Sequence, residues 1–567
     1  METAKGQTRE ETLSGLAGRI DSFEKYSGPH SRVMAYLAVR LARRFGLIQT
    51  DVNAIAEAAL AHDIGLFAMS PDYHSTRGPL NVEQRVDLWR HPIIGEQQMA
   101  KREFGRAAQL LVRWHHEWWN GSGYPDGLAF EDIPIGARIL RAVELFSAVS
   151  SERPYRGALP PDEALEVLKS SAGVECDPYV MKALLALLEE LREPPTETDP
   201  AATAFGHAEA EVNAAAAETH AAQSAEAEPT GSAPASALPS IEAIVSRARL
   251  KEPSQDDTYW GAWSRSRSNR KSLLGFEASV LRQLVFKSIA VAFSGGSRLD
   301  WYLAAWRKHV LSNDPRAWAA ALARATIEAG ESLSEDHIAR LLRDVYVPRA
   351  SLRNPGLRVW FTETDAWAMD NLRANIDEIE DAAHRARAMA LGIQAGDYAL
   401  SFNEETRGLK QPLTRVFPML AHQSLPLPTA HLQTHVFNLP AEEFIRNSHA
   451  DALYLSLPAA HAEHAGSAVR GDWRECWVRA TQNAETDELL ALTAKPQSKQ
   501  AYLDAVDRLL GLAAHIKTWA IGCQDVGIAS ARDISELIKV RRAVRATYSK
   551  DVTEAAGGMR SYIMIAE

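Results

Sequence analysis

Between residues 193 and 240 the chain is rich in Ala, Glu, Pro and Ser and almost free of large apolar side chains, so this stretch cannot bury enough surface to fold. A chain interrupted in this way builds its cores separately on either side. At 567 residues it is also too long for a single core. The expected division is a first domain over residues 1–192, a disordered linker over 193–240 whose Ala-Glu portion forms helix only transiently, and a second domain over 241–567.

Composition narrows the classes further. A formal net charge of −11 argues against a protein that coats nucleic acid over its whole surface, while leaving room for a local basic patch. The 3 cysteines, Cys176, Cys476 and Cys523, lie far apart and make neither a disulfide framework nor a zinc knuckle, which suits a reducing compartment. The N-terminal stretch lacks the apolar core of a signal peptide, and no run approaches the roughly 18 apolar residues that cross a bilayer. A soluble cytoplasmic protein with no membrane partner is expected.

The chemistry-bearing residues lie ahead of the linker. His62-Asp63 is followed by His91, by His115-His116-Glu117 and by Gly121-Ser122-Gly123-Tyr124-Pro125. A phosphodiester resists attack because its own charge repels a nucleophile, and a pair of cations is the usual remedy. Asp63 carries two oxygens that suit a bridge between such cations. Neutral imidazoles from His30, His62, His91, His115 and His116 fill the remaining positions and leave enough positive charge to hold substrate. Apolar residues recur at helical spacing from Arg32 to Phe45 and from Ile55 to Ile64, which places His30 at a helix start and His62-Asp63 near a helix end.

Residues from about 20 to 190 resemble the HD-GYP family, helical metal phosphodiesterases that typically linearise cyclic di-GMP. The resemblance rests on His30-Ser31-Arg32-Val33, the His62-Asp63 pair, His91-Pro92 with Gly95, His115-His116-Glu117, Gly123-Tyr124-Pro125, Ile133 to Arg138, Arg153-Pro154-Tyr155-Arg156 and Asp177-Pro178. It implies an all-α HD-domain helical bundle. It also implies that His30, His62, Asp63, His91, His115 and His116 are metal ligands, with His62 and Asp63 at the catalytic centre. Tyr124 would stand near the pocket, and the guanidinium forks of Arg153 and Arg156 would hold substrate phosphates. Where the family has Lys three residues after the Asp of the pair, this chain has Leu66. Glu144 replaces the last metal-binding Asp and is kept as a ligand. Tyr26 stands where members with a third metal carry Glu, so two divalent ions are expected, iron or manganese by resemblance.

Beyond the linker the pattern changes. Ser288 to Phe293 reads as a short buried strand, followed by Ser294-Gly295-Gly296-Ser297, a helical stretch and His309 to Asp314. A strand, a glycine loop, a helix and a strand ending in an acid open a Rossmann-type nucleotide-binding α/β unit, with Gly295, Gly296 and Asp314 as candidate cofactor-binding residues. Residues from roughly 275 to 550 resemble the Dam-type adenine-specific DNA methyltransferases, through Ser312-Asn313-Asp314, Ala323-Arg324-Ala325, Val359 to Thr362, Val436 to Pro440 and Asp451 to Pro458. The motifs are eroded where the chemistry would be. Ser456-Leu457-Pro458-Ala459 replaces the family's Asp-Pro-Pro-Tyr loop, the glycine loop departs from its pattern, and Pro440 replaces an acid. S-adenosylmethionine is therefore not expected, and the second domain is read as a binding or dimerisation module.

The expected function is hydrolysis of a cyclic dinucleotide, first of all cyclic di-GMP. One rival is a catalytically impaired cyclic-dinucleotide sensor, marked by Leu66 and Glu144. Another is a DNA-associated defence or modification protein, for which Arg265, Arg267, Arg270 and Lys271 near Trp260 and Trp263 supply a basic and aromatic cluster. That cluster reads first as a solvated segment. Candidate partners are thus the cyclic dinucleotide, DNA through the C-terminal half and a second copy of the chain.

Overall fold

The computed structural model describes residues 2–26, 28–71, 80–151, 157–191, 273–296, 298–328, 332–423, 434–458, 473–480, 498–525, 529–551 and 560–567, with side chains from residue 13 onward. The expected linker, Arg153, Arg156 and the cluster from Trp260 to Lys271 lie outside the described residues. The chain forms two compact units that alternate along the sequence. One combines Met1–Gly78, Arg90–Trp119 and Ile133–Ser266; the other combines Pro79–Trp89, Asn120–Asp132 and Arg267–Glu567. Packing thus cuts the chain differently from a single boundary near residue 192. Composition marks stretches poor in core residues, but it does not show which core a loop joins.

The N-terminal part folds as helices α1 (Glu2–Phe23), α2 (His30–Arg44), α3 (Gln49–Ala61), α4 (Ile64–Met69), α5 (Val82–Leu88), α6 (His91–Lys101), α7 (Arg106–Trp114), α8 (Ile135–Ser150), α9 (Pro161–Ser171) and α10 (Pro178–Glu190). Of these, α5 belongs to the second unit. On α2 the buried residues Val33, Met34, Leu37, Ala38, Leu41 and Ala42 form one apolar stripe at helical spacing. The helix stops at Gly46, whose φ of 65° closes the end while its N–H and that of Leu47 return to Arg43 and Ala42. α3 presents Ala54, Ala58, Ala59 and Ala61 with Val52 and Ile55 to the core, and these small side chains let α2 approach it closely. α8 is buried along most of its length and packs on α2, α3, α7, α9 and α10. Asp177 caps α10 by accepting from the Tyr179 N–H at 2.8 Å and pairs with Arg138 at 2.8 Å, with Pro178 in the first turn.

The helix expected from Ile55 to Ile64 is broken. α3 ends at Ala61, His62 is its C-cap, and Asp63 adopts φ −97° and ψ 18° as the N-cap of α4. Gly65 follows at once, and no other residue fits there. A Cβ at Gly65 would lie 1.9 Å from the carbonyl oxygen of His91 and 2.6 Å from the backbone nitrogen of Gly95. The missing side chain lets α4 lie directly on α6. The segment Gln49–Met69 is long and apolar enough to span a membrane by length and composition, contrary to the sequence expectation, yet 56% of its most apolar window is buried inside the fold. Its apolar residues serve the core between α2, α6 and α7.

The second unit is built on a seven-stranded sheet of β1 (Ser288–Val291), β2 (His309–Asn313), β3 (His435–Phe437), β4 (Ala452–Ser456), β5 (Thr518–Gln524), β6 (Val544–Asp551) and β7 (Arg560–Ala566), in the order β3-β2-β1-β4-β5-β7-β6. The strands from β3 to β5 in that order are parallel, whereas β7 runs antiparallel to β5 and to β6. Parallel strands need crossovers, supplied by Leu299–Ala305 after β1, Ala441–Asn447 after β3 and Lys499–Leu512 before β5. Helices on both faces explain why every residue of β5 is buried. The two expected strands form as Ser288–Val291, shorter than Ser288 to Phe293, and His309–Asn313, which stops one residue before Asp314, while the Asp451 to Pro458 segment contains β4.

Candidate metal centre

The site is assembled from helix ends. His30 is the first residue of α2, and Nδ1 of its ring lies 2.7 Å from the hydroxyl of Ser147 on α8. The same turn is anchored by Asp21 of α1, which accepts from the Ser31 N–H at 3.1 Å and from the Ser31 hydroxyl at 2.6 Å. This satisfies a backbone donor that a helix start leaves open. His91 begins α6. His62 and His115 are the C-caps of α3 and α7.

His62 and His115 share one device. Nδ1 of His62 lies 2.9 Å from the carbonyl of Ala59, and Nδ1 of His115 lies 2.7 Å from the carbonyl of Val112. A carbonyl only accepts, so Nδ1 carries the proton in each ring and Nε2 presents its lone pair. Outer hydrogen bonds of this kind orient ligating histidines.

The lone pairs meet at Asp63. Its Oδ2 lies 3.2 Å from Nε2 of His62, while its Oδ1 lies 3.1 Å from Nε2 of His91 and 3.7 Å from Nε2 of His115. The two facing Nε2 atoms of His91 and His115 are 3.4 Å apart. Asp63, His91, His115 and His116 can each offer a ligand atom within 4.8 Å of the others, and so can Glu24, His30 and His62. His30, His62, His91, His115 and Asp63 are buried. Nε2 of His62 and Oδ1 of Asp63 complete no hydrogen bond of good geometry. Buried polar atoms without hydrogen bonds are costly, and a cation beside them removes that cost. The donor set of imidazole and carboxylate therefore fits divalent metals.

Charge in the cation-free site follows the same geometry. Burial disfavours the His62 imidazolium, but the Asp63 carboxylate outweighs it and pushes that ring up to about 10. Burial opposes the Asp63 carboxylate, yet the charge of His62, with the rings of His115 and His91 close by, holds it well below its usual range. His116 is driven well below the ordinary imidazole value by burial and by repulsion from His115 and His91. A neutral His116 is the ligating form.

The remaining expected residues are placed as follows. Oε2 of Glu144 lies 3.5 Å from Nδ1 of His116 and 3.3 Å from the Arg141 guanidinium, which also pairs with Glu175. Burial works against the Arg141 cation, but Glu175 and Glu144 hold it charged. Leu66 is buried on α4 and brings no charge to the site. Tyr124 stacks on Trp89, with ring centroids 5.4 Å apart, in the second unit. Glu24 was not anticipated. The chain turns at Lys25, where φ is 60°, and Tyr26 stacks flat on His30 at 3.8 Å, so counting one helical turn back from His30 finds Tyr26 rather than the carboxylate.

In the second unit Gly295 and Gly296 have φ of 67° and 65° after β1. The Gly295 N–H donates to Oδ2 of Asp314 at 2.7 Å, and Arg316 grips both oxygens of that carboxylate through Nε at 2.9 Å and Nη2 at 3.0 Å. Asp314 is fully buried by these contacts. A Cβ on Gly296 would meet Leu322 at 2.9 Å and Trp318 at 3.1 Å, so the glycine loop is packed against its neighbouring helix.

Residues 17–180 match the HD domain family. Over 186 residues the chain is 36% identical to a cyclic di-GMP phosphodiesterase response regulator of Xanthomonas campestris, covering 32% of this chain and 49% of that protein. It is 28% identical over 186 residues to the 3'3'-cGAMP-specific phosphodiesterase 2 of Vibrio cholerae, covering 32% and 36%. A cyclic di-GMP phosphodiesterase of Thermotoga maritima is 32% identical over 167 residues, covering 29% and 45%. The chain thus spans about half or less of the length of these curated relatives.

Proposed function

We propose that the HD domain of this chain is a metal-dependent phosphodiesterase that hydrolyses a cyclic dinucleotide, cyclic di-GMP before 3'3'-cGAMP. The observation that carries the reading is Asp63, whose two oxygens face opposite groups of imidazoles. The relatives named for cyclic di-GMP and for 3'3'-cGAMP support the substrate class. Two divalent ions, iron or manganese, would be held by His30, His62, Asp63, His91, His115 and His116, with Glu144 beside His116 and Glu24 as an added candidate. Bound there, they would supply Lewis acidity and a nucleophile at neutral pH.

The chain's own residues have separate tasks in this reading. Asp63 holds the two ligand groups in register. Ser147, Ala59 and Val112 fix the rings through Nδ1, so no reorganisation is needed when substrate arrives. Tyr124, Arg153 and Arg156 bind the dinucleotide, the arginines through its phosphates. Leu66 leaves phosphate binding to those arginines.

The second unit is read as a methyltransferase-like module that transfers no methyl group. The sheet order with its antiparallel β7 supports the Rossmann-type assignment. The closure of Asp314 by Arg316 supports the loss of cofactor binding, because the acid that would meet ribose hydroxyls is engaged. Buried free Cys176, Cys476 and Cys523 support a cytoplasmic location.

The test is hydrolysis of cyclic di-GMP and 3'3'-cGAMP by protein purified anaerobically and loaded with iron or manganese, with the double variant His62→Ala and Asp63→Ala as control. Turnover that disappears in the control is expected. Metal binding without turnover would move the protein to the sensor class.

A further inference from the structure

Two segments of the second unit lie beside metal-ligand candidates in the sequence. Trp89 comes just ahead of His91, and the loop that begins at Asn120 comes just after His115-His116-Glu117. Within that unit both segments are held by one cluster from the far end of the chain. Trp89 stacks on Tyr124 at 5.4 Å and meets Trp301 at 5.3 Å and Tyr302 at 5.9 Å. The guanidinium of Arg298 lies over the Trp89 ring at 5.4 Å and donates to the Ser122 carbonyl at 2.8 Å. The other end of the loop is fixed too. Asp126, fully buried, accepts from the Gly275 N–H at 3.0 Å through its carboxylate and from the Leu274 N–H through its carbonyl.

We infer that Arg298 and Trp301 are positioning residues for the proposed hydrolase, holding Trp89 and the Gly123-Tyr124-Pro125 loop in the arrangement that binds substrate. Loops are fixed by whatever satisfies their backbone groups and covers their rings. Here residues 274–302 do both. The loop's order is therefore supplied by residues 274–302, remote from it in sequence. Arg298 is suited to this because one side chain serves two segments, its charge over the indole of one and its N–H on the carbonyl of the other. This inference rests on the phosphodiesterase reading for its functional half, while its structural half stands apart from that reading.

The experiment compares the full chain with Arg298→Ala and Trp301→Phe, and with Arg307→Ala as a control, since Arg307 is exposed and pairs loosely with the exposed Glu83 at 3.9 Å. Hydrogen exchange is read on peptides covering residues 118–128 and 106–114, alongside metal content and the KM and kcat for cyclic di-GMP. Arg298→Ala should speed exchange in 118–128 but not in 106–114, and raise KM about tenfold at unchanged metal content and with kcat less affected. Trp301→Phe keeps an apolar ring in place and should give a smaller shift in the same direction. Unchanged exchange in 118–128 would overturn the inference, and so would faster exchange with an unchanged KM. Wild-type protein that hydrolyses neither cyclic dinucleotide would sink the functional proposal instead, and the exchange data would then decide the loop-holding role alone.

Discussion

Nε2 of His62 lies 3.2 Å from Oδ2 of Asp63, the very next residue, across the break between α3 and α4. In an unbroken helix neighbouring side chains diverge by about 100°, so the break is what lets them converge. With Oδ2 turned to His62 and Oδ1 to His91, Asp63 faces a member of each candidate ligand group. Asp63→Asn keeps the shape and removes the charge. Metal content below one ion per chain and hydrolysis reduced at least about 10³-fold are expected, measured by elemental analysis and turnover. A variant that keeps its metals would take Asp63 out of the bridging role.

Ser147 touches the Nδ1 nitrogen of His30, at 2.7 Å, and so orients that ring. Ser147→Ala should lower metal affinity by roughly 10- to 100-fold without unfolding the helical unit, because the lost group is a small buried hydroxyl. Competition with a chelator measures this. An unchanged affinity would show that the start of α2 alone fixes the ring.

Much of the candidate His/Asp cluster was legible because its residues announce themselves locally. His30, His62, His91 and His115 all sit at helix boundaries, where hydrophobic periodicity stops, and each is a natural ligand type. Glu24 was missed because the turn at Lys25 defeats any count along a helix. The Arg298–Ser122 contact joins residues far apart in sequence, so no spacing reveals it. The eroded glycine loop suggested a lost cofactor, but only the fold shows Arg316 occupying the Asp314 carboxylate. Two strands of the second unit, at Ser288 to Phe293 and His309 to Asp314, were readable from the sequence, whereas the other strands and the sheet order depend on pairings that the sequence does not display.

Glu24 forms a group with His30 and His62, so it should contribute to the ion on that side of Asp63. Glu24→Gln removes the charge and keeps the size. About a tenfold loss of affinity for one of the two ions is expected, with the other retained. Titration of the metal-free variant with Mn²⁺ would show two unequal steps. Two steps matching wild type would assign Glu24 a purely structural place.

Gly65 tests whether helix contact sets the site. A methyl there would fall 1.9 Å from the carbonyl oxygen of His91, which is backbone and cannot swing away. Gly65→Ala must push α4 from α6, separating Asp63 from His91. A loss on the order of 3 kcal/mol in stability is expected, together with lost metal binding. Near-normal unfolding with full metal content would mean that the two helices have slack.

Asp300 gives a pH prediction independent of metal. Its carboxyl is wholly buried, accepts from the Ser312 hydroxyl at 2.7 Å through Oδ2, and leaves Oδ1 without a hydrogen bond. Burial pushes it up to about 7, against the Ser312 hydrogen bond, which favours the carboxylate, and with help from the charge of Asp314. The ordinary value is 3.8, so between that value and about 7 the folded chain keeps a proton that the unfolded chain has lost. Stability therefore falls as pH rises through this window and levels off above it. Asp300→Asn cannot titrate, and its amide can still accept from Ser312. It should match wild type near pH 4 and exceed it by on the order of 2 kcal/mol at pH 8, less than the full shift implies because the amide N–H₂ also lacks a partner. Urea unfolding of the full chain at both pH values, followed by a signal from the second unit, reads the difference. Parallel pH slopes for the two proteins would place the titrating group elsewhere.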